Sequence, residues 1–446
     1  MKRAPADRKD SGRARQLGLL VGITSMDNTE MSVTSVMFPA LRSALGLPLA
    51  ALGWLVALAK LVGVVCGPLW VVVAQRHGRK KVLAGCAGLW GVWTIGTGFV
   101  QDYTQLVIMC TIAAAGVAGG GPLVNVILSD LYDDASRGRA AGYLYGCIAL
   151  FTAVLGPLLG QLSRFEDGWR YGFFAGGALQ ILFGILILLF LRDPGVGASE
   201  PELDRAAASE RQQTPLTWGR IRELLAIRTF VLILLQRLTT GQFVLLSFGV
   251  VFLTDVYGFS NAQASLTVLP TALAFFVGTV VGGMLTDRIH RRHPNAGRIA
   301  VFQTGMISYA VIAFFGTQFD WGSIVVFAGF FALMAFIQGF NPGINRPLLS
   351  AVTPPELRGA GFALMLSAES VGWALTTLGV GYLGDVVGLR TAFLWLLVLL
   401  TLGNGLLISL FYRPYVRDAA AVRTERARRA PSVVGLQGLP GESREY

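Results

Sequence analysis

The sequence predicts an all-α membrane protein in which twelve transmembrane helices form two pseudo-symmetric six-helix halves. Three observations carry that prediction. Of the 446 residues 53% are hydrophobic and only 14% charged, against about 25% charged in a soluble domain. Apolar runs of about 20 residues, the length that crosses a bilayer core, recur along the whole chain. The third observation is an internal repeat: Gln75-Arg76-His77-Gly78-Arg79-Lys80-Lys81 after one apolar run is echoed 212 positions later by Asp287-Arg288-Ile289-His290-Arg291-Arg292 after another, and the same offset takes Gly46 to Gly258.

In chain order, residues 1–16 form a basic tail, expected to be disordered. The N-terminal half, 17–191, holds helices over roughly 17–41, 49–74, 81–100, 105–128, 140–162 and 171–191. A charged, proline-containing linker follows over 192–228. The C-terminal half, 229–412, holds helices over roughly 229–253, 262–286, 298–316, 321–350, 359–383 and 390–412. The tail, 413–446, is Arg-rich and also expected to be disordered.

Charge sets the orientation. With the N-terminus in the cytoplasm, 30 of the 37 Lys and Arg residues fall on the cytoplasmic side, four outside (Arg42, Arg164, Arg170, Arg390) and three within helices (Lys60, Arg237, Arg346). Lys and Arg concentrate in cytoplasmic loops, so both termini and the linker are expected there, with the protein in the plasma membrane. The net charge of +11 is thus a matter of topology. No polar stretch interleaves aromatics with Arg or Lys as a nucleic-acid surface would.

The repeat continues beyond the two loops. Ser136-Arg137-Gly138-Arg139-Ala140 opens helix five and Leu357-Arg358-Gly359-Ala360-Gly361 opens helix eleven. Gly168-Trp169-Arg170 precedes helix six and Gly388-Leu389-Arg390 precedes helix twelve. The offset lengthens because the loop after helix eight carries His293-Pro294-Asn295-Ala296-Gly297. Two parallel halves of this kind are a transporter architecture.

On these residues the chain resembles the major facilitator superfamily of secondary transporters over about residues 17–412. The family's loop signature has Gly, three residues, Asp, a basic residue, one residue, Gly and two basic residues. Arg76, Gly78, Arg79 and Lys80 match it, with Gln75 in place of the Asp. The second copy keeps Gly283, Asp287 and Arg288 and replaces the second Gly by His290. The resemblance implies that Gln75, Arg76, Gly78, Arg79, Lys80, Asp287 and Arg288, with Arg137 and Arg358, form a conformational gate on the cytoplasmic side. Asp287 stands at the end of its own helix, where a carboxylate is unfavourable, so it should seek a helix N-terminus or an Arg. Gly156-Pro157 in helix five looks like part of an antiporter element and leans toward export. The stretch Met109–Gly116 has none of the helix-four Arg that family members use for proton coupling. A looser likeness to the Spinster-like group rests on Asp27 and Glu30, on Trp169-Arg170 and on Leu191-Arg192-Asp193-Pro194; it would imply a lysolipid cargo.

Ions at membrane depth face a cavity or a partner. Asp27, Glu30, Lys60, Arg237, Arg346 and Glu369 lie inside predicted helices. Asp27 and Glu30, three apart, share one face of helix one. Two close buried carboxylates raise each other's proton affinity, which makes Glu30 and Asp27 candidates for proton coupling, and Glu369, near the midplane in helix eleven, is a third; a fixed Glu30–Lys60 pair is the alternative. Arg237 either holds an anionic group of the cargo or pairs with Glu369, and Lys60 carries the same ambiguity. Asn125, Gln236, Gln242, Gln338, Asn341, Asn345 and Arg346 add binding capacity, although membrane amides also join helices. Asn341-Pro342-Gly343 is expected to break helix ten, and such breaks line cavities.

The sequence therefore reads as a secondary transporter of a small organic molecule, working as a monomer by alternating access, proton-coupled and leaning to export. A non-transporting receptor or scaffold on the same fold is the second reading. An enzyme is excluded by motif: His77, His290 and His293 lie in basic loops, with no His-Glu-x-x-His, Gly-x-Ser-x-Gly or phosphate loop. No cofactor or metal is called for.

Overall fold

The computed structural model describes residues 5–132, 134–193, 218–354 and 357–429, and within these the side chains of 5–13, 27–31, 129, 134–142, 218, 220, 359 and 425–429 lie outside the description. Among the described residues every regular element is a helix. This is what lipid demands, since only a helix satisfies each backbone N–H and C=O within its own segment.

The twelve crossings are numbered α1 to α12. In the first half α1 is Pro5–Val36, α2 Leu49–His77, α4 Tyr103–Val117 with Gly120–Leu131, α5 Asp134–Leu162 and α6 Gly168–Phe190; α3 is composite, Arg79–Leu83, Ala84–Leu89 and Gly91–Thr97. In the second half α7 is Arg228–Leu238 with Phe243–Tyr257, α8 the span Asn261–Arg292, α9 Gly297–Gln318, α10 Ile324–Gln338 with Asn341–Val352 and α11 Arg358–Val387. The last crossing, α12, runs through Leu389–Phe393, Leu394–Leu399 and Leu400–Leu407. Ten described spans are long and apolar enough to cross a membrane. The other two crossings are α1, which carries Asp27 and Glu30, and the composite α3.

Both tails depart from expectation. The basic segment before residue 17 is helical from Pro5, continuous with α1. After α12 a helix α13, Tyr412–Arg429, continues into the Arg-rich tail. It buries Tyr415, Ala419 and Val422, and Asp418 accepts bonds from the Thr229 backbone N–H (2.9 Å) and hydroxyl (2.7 Å) at the start of α7. Docking of an apolar face explains why an Arg-rich sequence is ordered there. The linker segment 194–217 and the tail 430–446 lie outside the described residues.

Local irregularities are paired between the halves. Gly78 and Gly388 both have positive φ (88° and 84°). Each is followed by five α-helical residues and then a six-residue π segment, in α3 and in α12. Each π segment faces a helix break. A Cβ on Gly119, in the break of α4, would lie 2.9 Å from Cys86 Sγ, and one on Gly241, in the break of α7, would strike the Leu396 carbonyl. Wide turns in one helix thus accommodate interrupted backbone in its neighbour.

The core places the joint between the halves. One buried cluster (Leu20, Leu83, Ile127, Leu144, Ile187) belongs to the first half alone, and a second (Phe230, Phe302, Leu348, Phe411) to the second half alone. The largest combines Phe38, Leu52 and Phe173 with Phe248, Phe252 and Phe393 and so draws on both. This shared core sits at the end of the bundle opposite the basic loops, hereafter the far end. Arg42 pairs with Asp255 across the same seam. A cavity of about 590 Å³ bounded by α1, α2, α4 and α11 lies on the basic side of it.

Candidate functional site

Three interrupted helices surround the middle of the bundle. The break in α10 falls at Gly339-Phe340, between Gln338 and Asn341. The matching break in α4 falls at Ala118-Gly119, with Gly121-Pro122 standing where α10 has Asn341-Pro342. Interrupted helices at corresponding positions of two halves are the structural mark of a transport site. The break in α7, residues 239–242, corresponds at the 212-residue offset to 27–30 of α1, the stretch carrying Asp27 and Glu30. The side chains of Asp27 and Glu30 lie outside the described residues, as does that of Arg137.

The described charges gather on α2, α7, α10 and α11. Arg237, on the last turn before the α7 break, is buried and its guanidinium lies 3.3 Å from the Glu369 carboxylate on α11. Of the two readings open for Arg237, pairing with Glu369 is the one this conformation contains. One turn along α11, Trp373 stacks on Phe243 of α7 (4.3 Å between centroids, 6° between planes) and donates to Ser247 Oγ at 2.9 Å. The Lys60 ammonium of α2 sits 3.6 Å from the centroid of that indole ring. Lys60 thus reaches from the first half onto an aromatic shelf built by the second. Glu369 is near enough for its charge to act on Lys60 as well as Arg237, and the charge of Arg346 on α10 also acts on Arg237. Trp373 is not among the residues that the sequence analysis singled out. Its signal was the i, i+4 spacing to Glu369, which puts both on one helix face.

Two donors here have no acceptor. Arg237 Nε and Asn345 Nδ2 are buried without a hydrogen-bond partner, whereas nearly all buried polar atoms have one. Asn341 bonds to Gln242 Oε1 at 3.1 Å and closes the α7 and α10 breaks against each other.

Other predicted residues hold helices together. Asn125 donates to the Gly121 carbonyl and accepts from the Tyr145 hydroxyl, tying α4 to α5. Gln236 bonds Asn404 of α12 at 3.1 Å. Gln338, half-buried, ends the first segment of α10. Arg346 is exposed.

The gate residues stand apart from this centre. Arg79 pairs with Asp130, at the end of α4 in the same half, a partner the sequence reading did not identify. Lys80 is half-buried beside it; Gln75, Arg76 and Gly78 are exposed. Arg358 donates to the Ser350 carbonyl at 3.0 Å. Asp287 and Arg288 are exposed, and among the described residues Asp287 has no ion pair.

Comparison with known proteins agrees with this architecture. The probable galactarate/D-glucarate transporter GudP of Escherichia coli is 23% identical over 398 residues, covering 83% of this chain and 86% of that one. A probable 4-methylmuconolactone transporter of Cupriavidus pinatubonensis is 27% identical, covering 82% and 83%. Among solved structures, a bacterial homologue of the human lysosomal transporter Spinster, in an inward-facing and occupied conformation, superposes with a TM-score of 0.73 at 19% identity, covering 93% of this chain and 98% of that one. A D-xylose–proton symporter gives 0.68 at 18% identity, covering 90% and 98%. These structures share the fold. Residues 20–299 match the family model of the Major Facilitator Superfamily, and the chain belongs to that superfamily of membrane transporters.

Proposed function

We propose that the chain is a proton-coupled secondary transporter of small organic anions, working as a monomer in the plasma membrane with both termini cytoplasmic. The observation that carries the anionic cargo is the pair of buried donors without acceptors, Arg237 Nε and Asn345 Nδ2, with the Lys60 ammonium and the Arg237 guanidinium as the cations of the centre. A carboxylate supplies what these groups lack, and guanidinium presents a planar fork to it. Relatives are described as transporters of galactarate/D-glucarate and of sulfoacetate, which are organic anions.

Glu369 gives this arrangement a proton link. Ionised, it occupies Arg237; protonated, it releases Arg237 to the cargo. Proton and anion then load together, so both move in the same direction. Asp27 and Glu30, opposite the α7 break in the repeat, are the further proton carriers. Gly156-Pro157 leaned toward export, but Gly156 has a packing role that accounts for it: a Cβ there would lie 2.5 Å from Val268 of α8.

The test is uptake of a labelled sugar diacid into proteoliposomes with an imposed pH gradient. Accumulation should follow an inward proton gradient, collapse with a protonophore, and lose its pH dependence in Glu369→Gln. Uptake of neutral sugars in preference to diacids would overturn the anion assignment, and gradient-independent uptake the proton link.

A further inference from the structure

The repeat aligns the starts of α2 and α8, yet the two helices are capped by different means. Gly46 and Gly258 both take left-handed C-cap conformations, with φ of 63° and 71°. Two residues on, Ser260 closes a capping box at the start of α8: its hydroxyl accepts from the Gln263 backbone N–H, and the Gln263 side chain accepts from the Ser260 N–H. The aligned residue before α2 is Pro48, which makes no side-chain cap. The first N–H groups of a helix have no partner within it. Those of Leu49 and Ala50 donate instead to Asp385, on the last turn of α11 in the other half, at 2.8 Å to Oδ1 and 2.8 Å to Oδ2. One half caps its helix in cis, and the other borrows its cap across the joint.

The borrowed cap lies on a tightly closed seam. A Cβ on Gly53 of α2 would approach the Thr377 carbonyl of α11 to 2.6 Å, and one on Gly381 of α11 the Ala50 Cα to 2.8 Å. Trp54 Nε1 donates to the Tyr382 hydroxyl at 3.2 Å across the same line. Because α2 and α11 belong to different halves, opening the far end breaks all of these contacts. Opening then strips α2 of its cap and strands Asp385 at the C-terminus of its own helix, where a carboxylate is disfavoured. The cap of α8 survives in either state. Nothing comparable holds the basic end among the described residues, where Gln75 has no carboxylate and Asp287 no ion pair.

We propose that Asp385 is a trans-acting helix cap that latches the far end shut, so that the resting protein keeps its central site directed toward the basic end. This rests on the alternating-access part of the reading above and is independent of cargo.

The test places spin labels on the exposed far-end loops of the two halves, Gln101→Cys and Asp320→Cys. The host is the full chain in nanodiscs, with Cys66, Cys86, Cys110 and Cys147 replaced by Ser. Electron–electron distances report closed and open populations, and a thermal melt is recorded for each variant. The parent should be mostly in its short-distance state. Asp385→Ala should raise the open-to-closed ratio about tenfold, the equivalent of about 1.4 kcal/mol, and lower the melting temperature. Adding Pro48→Ser to Asp385→Ala supplies a cap in cis. It should restore the melting temperature and leave the open population raised, because a cis cap does not tell the states apart. An unchanged ratio in Asp385→Ala would overturn the latch, as would recovery of both readouts on adding Pro48→Ser. A single far-end distance in every variant, with cargo present or absent, would remove the alternating-access reading itself.

Discussion

Arg237 and Glu369 share one ion pair but not one environment: the Arg237 side chain is 6% exposed and that of Glu369 25%. Removing one partner of a buried pair costs about 3–5 kcal/mol, chiefly through the charge left behind. The charge left by Glu369→Leu is the deeper one. In thermal melts of purified protein, Glu369→Leu should therefore be more destabilising than Arg237→Leu, and the double substitution should recover much of the loss. Transport should fail in Arg237→Leu and in the double substitution, which remove the group that holds the cargo, whereas Glu369→Leu should keep uptake and lose its pH dependence. Trp373 makes a separate case. A desolvated cation over an indole is worth about 2 kcal/mol, and the Lys60–Trp373 contact joins the two halves. Trp373→Leu should lower initial uptake by about ten- to thirtyfold, while Trp373→Phe, which keeps a ring under Lys60, should hold it within about threefold. Equal losses from both would show that indole packing, and not the cation contact, matters there.

At the level of elements, the interruption of α10 shows where sequence reasoning was right for an incomplete reason. Asn341-Pro342-Gly343 does mark it, but Pro342 falls in the first turn of the second segment, where proline is tolerated because its missing N–H has no partner to lose. The kink itself falls at Gly339-Phe340. A Cβ on Gly339 would come within 2.5 Å of the Phe275 carbonyl and 2.6 Å of the Thr279 nitrogen of α8. Pro342→Ala should accordingly leave transport and melting temperature close to the parent, and Gly339→Leu should abolish folded protein on size exclusion. The break in α7 was not recognised: Thr239-Thr240-Gly241-Gln242 does interrupt the apolar run, but it carries no proline, and polar residues also occur within unbroken membrane helices. What fixes it is Gly241 against the π segment of α12, a contact between residues far apart in sequence. The π segments were equally invisible, since Ala84–Leu89 and Leu394–Leu399 are ordinary apolar stretches whose geometry is set by their neighbours.

Across the whole molecule, the crossings and the two-fold repeat were legible because they are written in composition and spacing, which each segment carries alone. Partnerships between helices were legible only as rules awaiting an address. The rule that a carboxylate at its own helix end seeks a foreign N-terminus was applied to Asp287, and the structure satisfies it at Asp385. The difference is conformational. The shared core and the Arg42–Asp255 pair close the far end here, and a carboxylate at the basic end can find its partner only when that end closes instead. On the proposed alternating-access reading Asp287 is the latch of the opposite state, and Gln75, its counterpart in the repeat, has no charge to bring to it. Asp287→Asn should slow transport more than Gln75→Ala, because only the first removes a charged contact from the cycle. Gln75→Asp should strengthen closure of the basic end and shift the far-end distance between labels at Gln101 and Asp320 toward its longer value. Initial rates in proteoliposomes decide the first comparison and the distance distribution the second. Equal slowing by Asp287→Asn and Gln75→Ala, together with an unmoved distance in Gln75→Asp, would mean that these loops set topology and take no part in closure.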